Sequence, residues 1–294
     1  MNTSFRSHFI YLLLGIAITV IVGLLLILVS LDMRWMAMEA MLLASLVSFW
    51  LSKKTNKATA IVNSFILTIP FALFFWFVIG NDLPSLWFLM VMFFLSSLLG
   101  SWIKFETKFE TNKILKLIAI NILFAMASIL IVPQFVSRDL TKFVMQEVKP
   151  FELVDHGGNS ISSNELMGNV VILDFYGTWC KPCIAELPEL AKVRDYFSEH
   201  ENIKFFVVNA DLGGDNIEKA NKFIKKYDLG FNYAYDHGQK VYRNLGLSTS
   251  GVPTLVIIDS NGFIRLKHIG YNKSETDFVE KMIENIKRIA ESSL

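Results

Sequence analysis

Apolar positions follow two regimes along the chain. Up to about residue 136 they form near-continuous runs, and beyond it they come in short bursts between polar and charged positions. An α-helix needs about 20 mostly apolar residues to cross the hydrocarbon of a bilayer. Five stretches meet or approach that length: residues 9–31, 35–51, 60–80, 83–103 and 114–132, the last expected to stop at Pro133. The second is the shortest and carries Glu39. A cleaved signal peptide is a poor account of the first, whose apolar core is too long, lacks a small-residue cleavage site and is followed by four more runs.

The pattern changes after the fifth run. Residues 137–149 read as a polar connector with scattered apolar positions, ended by Pro150. Residues 150–294 then have the size of one domain. Within it, 170–176 is an apolar, β-branched run interrupted only by Asp174, like a strand buried on both faces. A helix is expected over 180–200, a second buried strand over 203–210, and a helix over 216–227 with Ala220, Phe223, Ile224 and Tyr227 at helical spacing. A short helix follows at 239–245 and a strand at 255–258. Asp259-Ser260-Asn261-Gly262 forms the turn of a hairpin whose return strand is 263–269. Ser274, with Asp277 three residues on, is expected to open the last helix. This order gives an α/β domain with a central mixed sheet. The domain plan is a transmembrane helical region at 1–136, a linker at 137–149 and the α/β domain at 150–294.

Composition sharpens this plan. Of 294 residues, 53% are apolar and 19% charged; the mean hydropathy is +0.43. The first half is therefore expected to be embedded in a membrane. A net charge of +1 excludes nucleic acid as the expected partner. Lysines set the orientation: Lys53, Lys54 and Lys57 lie in the second loop, and Lys104, Lys108, Lys113 and Lys116 in the fourth. The first and third loops are nearly free of them. This bias puts the N-terminus in the cytoplasm and, with an odd number of spans, the α/β domain outside it. Glu39 is an acid within a span, but it stands near the interface and can reach out to it. Asn63 and Asn121 are candidates for hydrogen bonds between helices. His8 is placed just outside the first span, so the spans carry no cysteine or histidine for relaying electrons.

The chain has two cysteines, spaced Cys180-Lys181-Pro182-Cys183. No second ligand pair is placed to complete a zinc site, and a purely structural disulfide over so short a loop would stabilise little. The pair sits where a strand runs into a helix. Unpaired N–H groups and the macrodipole at a helix start favour an anion. Cys180 can thus ionise readily and attack a disulfide, and Cys183 in the first turn can close on it. Asp174, an acid in mid-strand between apolar neighbours, needs a reason to be there; burial would move its pKa toward values useful in proton transfer. The histidines of this half (His156, His200, His237 and His268) are scattered and read as surface positions. Residues 211–215 read as a turn.

The string Asp174-Phe175-Tyr176-Gly177-Thr178-Trp179-Cys180-Lys181-Pro182-Cys183 resembles the active site of thioredoxin-like proteins. The continuation Ile184-Ala185-Glu186-Leu187-Pro188-Glu189-Leu190 is similar to the membrane-anchored TlpA/ResA-like thiol–disulfide oxidoreductases, as is the opening from Pro150 to Val171. Gly251-Val252-Pro253-Thr254 resembles that family's cis-proline loop. The resemblance covers nearly all of 150–294 and none of the five apolar runs. It implies a thioredoxin-like fold, with Cys180 as attacking thiol and Cys183 as resolving thiol. It makes Pro253 cis and facing the cysteines, with Val252 presenting backbone to a substrate. It makes Asp174 a proton acceptor for Cys183, and Trp179 a shield and contact surface. Glu186 matches an acidic position near the dithiol; a solvated helix position is the alternative.

The resemblance further implies an enzyme with no cofactor or metal beyond its dithiol. It would work on the extracytoplasmic side of a bacterial cytoplasmic membrane and reduce disulfide-containing protein substrates, such as apocytochromes or folding clients. Its five apolar runs would make it a multi-pass protein, a departure from the single anchor helix of many family members. With no cysteine in its spans, it would draw electrons from a separate membrane dithiol donor. Rival readings are a dithiol oxidase or isomerase, a peroxidase of the same fold, and a membrane assembly or transport protein that uses the dithiol as a redox sensor.

Overall fold

The computed structural model describes residues 3–30, 32–52, 56–106, 110–227 and 229–292. It divides into two units, Met1–Asp139 with Asn272–Ser274, and Leu140–Tyr271 with Glu275–Leu294. The first unit carries α1 (Thr3–Leu25), α2 (Met33–Leu51), α3 (Lys57–Phe74), α4 (Phe88–Glu106) and α5 (Glu110–Leu140). It holds five helices long and apolar enough to cross a membrane. Helix α1 packs on α3, and α2 on α4. Close approach is possible because small residues stand at the crossings: a methyl group added at Gly100 of α4 would collide with the backbone of Ser45 of α2.

Polar side chains tie these helices together, as the sequence suggested for both asparagines. Asn63 Nδ2 donates to Ser7 Oγ at 2.9 Å. Ser45 Oγ donates to Asn121 Oδ1 at 3.0 Å. Two expectations fail here. His8 lies inside the first apolar helix, not outside it, with Nδ1 2.6 Å from Asn63 Oδ1. Pro133 does not end the fifth helix, which runs through it to Leu140. A proline removes one helical hydrogen bond, but stopping there would leave several backbone groups unpaired in apolar surroundings, the costlier outcome. Lys53, Lys54 and Lys108 lie outside the described residues.

The second unit is built on one eight-stranded sheet of order β1-β8-β7-β4-β5-β6-β2-β3. The strands are β1 (Thr141–Glu147), β2 (Glu152–Asp155), β3 (Ser160–Ser162), β4 (Val170–Tyr176), β5 (Ile203–Asn209), β6 (Asn232–Tyr235), β7 (Thr254–Ile258) and β8 (Phe263–Ile269). Strand β4 pairs in parallel with β5 and antiparallel with β7, so the sheet is mixed. Its helices are α6 (Lys181–Tyr196), α7 (Ile217–Lys226), α8 (Lys240–Asn244) and α9 (Phe278–Ser292). All seven residues of β4 are buried, Asp174 among them, as its otherwise apolar run leads one to expect. One core lies on the α6 and α9 side, holding Ile172, Tyr176, Leu187, Leu190, Leu255, Leu266 and Ile286. The other holds Leu173, Phe175, Val208, Tyr242 and Val256 on the opposite face.

The linker expected at 137–149 is largely secondary structure. Helix α5 reaches Leu140, and β1 starts at once and pairs antiparallel with β8. Its Phe143 and Met145 are exposed, so no buried apolar alternation marks β1; the backbone ladder to β8 holds it. The last helix begins at Phe278 rather than at Ser274. The Ser274 hydroxyl donates to Asn272 Oδ1 at 2.7 Å, and it is the Asp277 carbonyl that accepts the N–H of Lys281 at 3.0 Å to start the helix.

Candidate active site

Strand β4 ends at Tyr176, three residues turn the chain, and Cys180 takes the N-cap position of α6. The backbone N–H of Cys183 donates to Cys180 Sγ at 3.2 Å. Sulfur thus stands where a serine or aspartate oxygen usually caps a helix. A thiolate there meets an unpaired N–H and the positive end of the helix, which favours ionisation. Cys180 and Cys183 are joined as a disulfide. Both are almost wholly buried.

The second wall is the loop before β7. The Val252–Pro253 peptide is cis, and the Val252 carbonyl oxygen lies 3.5 Å from Cys180 Sγ. Gly251, at φ +70°, lets the chain turn into this loop. Its carbonyl accepts hydrogen bonds from Thr254 Oγ1 at 2.9 Å and from the Tyr242 hydroxyl. Val252 therefore presents its backbone to the dithiol, next to a cis Pro253, as the resemblance implied.

Trp179 is 56% exposed beside Cys180. Its Nε1 donates to the Leu212 carbonyl at 3.1 Å, and its ring lies on Gly213, where any side chain would collide with it. The loop at 211–215 is more than the turn expected of it. Asp215 accepts from the Thr178 N–H at 2.8 Å, from Thr178 Oγ1 at 2.5 Å and from Asn209 Nδ2 at 3.0 Å. It clamps the segment that presents Trp179 and Cys180. Sequence reasoning missed Asp215; the only signal was a second acid in a Gly-Gly turn.

Beneath the dithiol lies a set of buried acids. Asp174 shares its face of β4 with Ile172 and Tyr176, which belong to the same core as Cys180 and Cys183. Glu186 follows Cys183 by three residues on the buried face of α6, with Leu187 and Leu190. Each is 1% exposed, so the solvated alternative for Glu186 is ruled out. Burial pushes the Asp174 carboxyl up to about 7, against an opposing pull from His268. Burial, then the neighbouring Asp174 and Glu275, hold the Glu186 carboxyl well above the usual carboxylate range. Asp174 Oδ1 and both oxygens of Glu186 have no hydrogen-bond partner among the described residues.

One histidine contradicts its expected surface position. His156, His200 and His237 are exposed, but His268 is 1% exposed. A register shift between Ile257 and Ile258 of β7 changes how β8 pairs. Ile264 joins one core, while Leu266, and His268 two residues on, face the core with the acids.

This arrangement is one for thiol–disulfide exchange: a capped sulfur, a partner thiol, an exposed rim and buried acids able to hold protons. Comparisons agree. The sequence profile of the AhpC/TSA family matches residues 144–267. The thiol–disulfide oxidoreductase ResA of Bacillus cereus is 32% identical over 130 residues, which cover 44% of this chain and 72% of that protein. ResA of Halalkalibacterium halodurans is 32% identical over 153 residues, covering 52% and 82%. Among solved structures, the thioredoxin domain of a thiol–disulfide oxidoreductase from Bacteroides vulgatus is similar, at 24% identity and a TM-score of 0.40, covering 48% of this chain and 99% of that one. With its dithiol at the start of α6 and its α/β unit aligned over most of the ResA sequence, the chain belongs to the ResA family of thiol–disulfide oxidoreductases.

Proposed function

We propose that this enzyme reduces disulfides of protein substrates on the extracytoplasmic side of a bacterial cytoplasmic membrane, as a multi-pass protein. The observation that carries the disulfide exchange itself is the Cys183 N–H on Cys180 Sγ at the N-terminus of α6, because it favours the attacking thiolate. The Cys180 thiolate attacks one sulfur of the substrate disulfide, forming a mixed disulfide and releasing the other sulfur as a thiolate. The Cys183 thiol gives its proton to the Asp174 carboxylate, with Glu186 as the second acid of the pair, and attacks Cys180 Sγ. The Cys180–Cys183 bond forms, the substrate leaves as a second thiolate, and both substrate thiolates take protons from water. Two electrons pass from the dithiol to the substrate.

Val252 offers its backbone and Trp179 its exposed ring to the substrate chain, with Pro253 closing the loop against the sulfurs. The reaction needs no cofactor or metal ion beyond the dithiol. The lysines of the second and fourth loops support the extracytoplasmic placement. Apocytochromes awaiting haem attachment and other folding clients are the substrates that fit a reductase there. A separate membrane dithiol carrier recharges it, since this chain has only two cysteines.

The test is the reduction potential of the full chain in detergent, equilibrated against dithiol buffers. A value near or below about −250 mV places it with the reductants, and one near about −120 mV makes it an oxidant and overturns the reading.

A further inference from the structure

The two acids under the dithiol do not stand alone. Strand register lines up a row across four strands: Asp174 on β4 opposite Leu255 on β7, Leu255 opposite His268 on β8, and His268 opposite Thr141 on β1. Neighbouring strands lie about 4.8 Å apart, so one leucine separates Asp174 from His268 on the same face. The imidazole is fixed from both sides. Its Nδ1 lies 2.9 Å from Thr141 Oγ1, a hydroxyl able to donate or accept. Its Nε2 lies 3.4 Å from Glu275 Oε2, near enough for an ion pair but off hydrogen-bond geometry. Glu275 stands in the segment leading to α9 and is 5% exposed.

The titratable groups that interact with this cluster are Asp174 and Tyr176 from β4, Glu186 and Glu189 from α6, and Tyr271 and Glu275 from the segment before α9, where Asp277 also has one buried oxygen. Glu189 is engaged by Lys192, and Asp277 by Lys281. That leaves three buried carboxyls, Asp174, Glu186 and Glu275, around one imidazole. Burial makes uncompensated negative charge costly. His268 can compensate one carboxylate at a time, so a proton arriving on one acid changes what the others can hold.

We propose that His268 and Glu275 are positioning residues of the dithiol reaction, governing the proton occupancy of Asp174 and Glu186 beneath Cys183. The proposal rests on the reductase cycle above, in which those acids take the Cys183 proton. His268 acts on Asp174 by attraction and Glu275 acts on Glu186 by repulsion. Removing the two must therefore have opposite consequences.

The experiment uses the full chain and an aromatic disulfide reagent. The reagent releases one coloured thiolate when the mixed disulfide forms at Cys180, and a second when Cys183 resolves it. In His268→Gln the pH midpoint of the second release moves up by about one pH unit, because Asp174 loses its favourable neighbour. In Glu275→Gln it moves down, because Glu186 loses a repelling one. The first release keeps its pH profile in both variants. If both variants slow the second release equally at every pH, with the midpoint in place, the two residues only support the fold and the proposal is overturned. Loss of the second release in the unmodified protein would sink the reductase cycle itself, a different result from an unmoved midpoint. Should either variant fail to fold, the His268 ring resonances of the unmodified protein decide. They differ between the oxidised and reduced dithiol if the coupling exists, and identical resonances overturn it.

Discussion

Both units of this chain bury polar side chains, and they use them in opposite ways. In the helical unit most buried polar groups are neutral serines, threonines and Asn63, joined as Asn63 is to Ser7 and His8, or Ser48 to Ser97 at 2.7 Å, and the buried acid Asp32 is paired with Arg34 at 2.7 Å. In the α/β unit the buried polar set under the dithiol is ionisable and poorly satisfied: oxygens of Asp174, Glu186 and Glu275 have no hydrogen-bond partner among the described residues. Neutral, paired groups hold helices together at little cost. Ionisable, unpaired groups destabilise the fold, and they persist where a proton has to be held. The contrast separates cohesion from chemistry within one molecule.

The sharpest break in that contrast comes from Cys180→Ser. Disulfide exchange should fall by at least about 10³-fold while the melting temperature of the helical unit stays in place; retention of exchange would show that the chemistry lies elsewhere. Asp174→Asn tests whether the buried acids cost stability. The folded Asp174 carboxyl is raised to about 7 from an ordinary value of 3.8, so between those pH values the folded chain binds more protons than the unfolded one. The stability contributed by the protonated acid is full below pH 4 and is lost as pH rises through 7. Asparagine cannot ionise. The variant should match the parent below pH 4 and exceed it at pH 8 by about 4 kcal/mol in denaturant unfolding, while the Cys183 step slows by about 10²-fold. A variant less stable than its parent at pH 8 would refute the account. The smallest effect is expected from Asn121→Leu, which removes the bond from Ser45 and should cost about 0.6 kcal/mol in detergent unfolding without touching exchange.

The parts of the molecule visible in the sequence are those with strong local signals. The dithiol, the cis-proline loop and β4 each announce themselves in a string of a few residues. The first four apolar helices follow from the length of their apolar runs; the fifth reads as shorter than it is because Pro133 ends helices in water but not here. Strand β1 escapes the sequence because an edge strand with exposed Phe143 and Met145 lacks an inward apolar alternation, and β6 because it is only four residues long. His268 had a faint signal, two positions after Leu266 on a strand. Asp215 has only its place in a Gly-Gly turn and Glu275 has no signal, since a loop acid shows its partners only when distant segments meet: Thr178 with Asp215, and His268 with Glu275.

The single cysteine pair has a further consequence. A chain with several thiols can tangle with itself, and any trapped adduct must then be sorted into internal and external bonds. Here Cys180 and Cys183 are the whole stock. Once Cys183 is replaced by serine, every bond that Cys180 keeps joins two different molecules. The protein is thereby its own unambiguous bait, and whatever it holds is a partner rather than a knot.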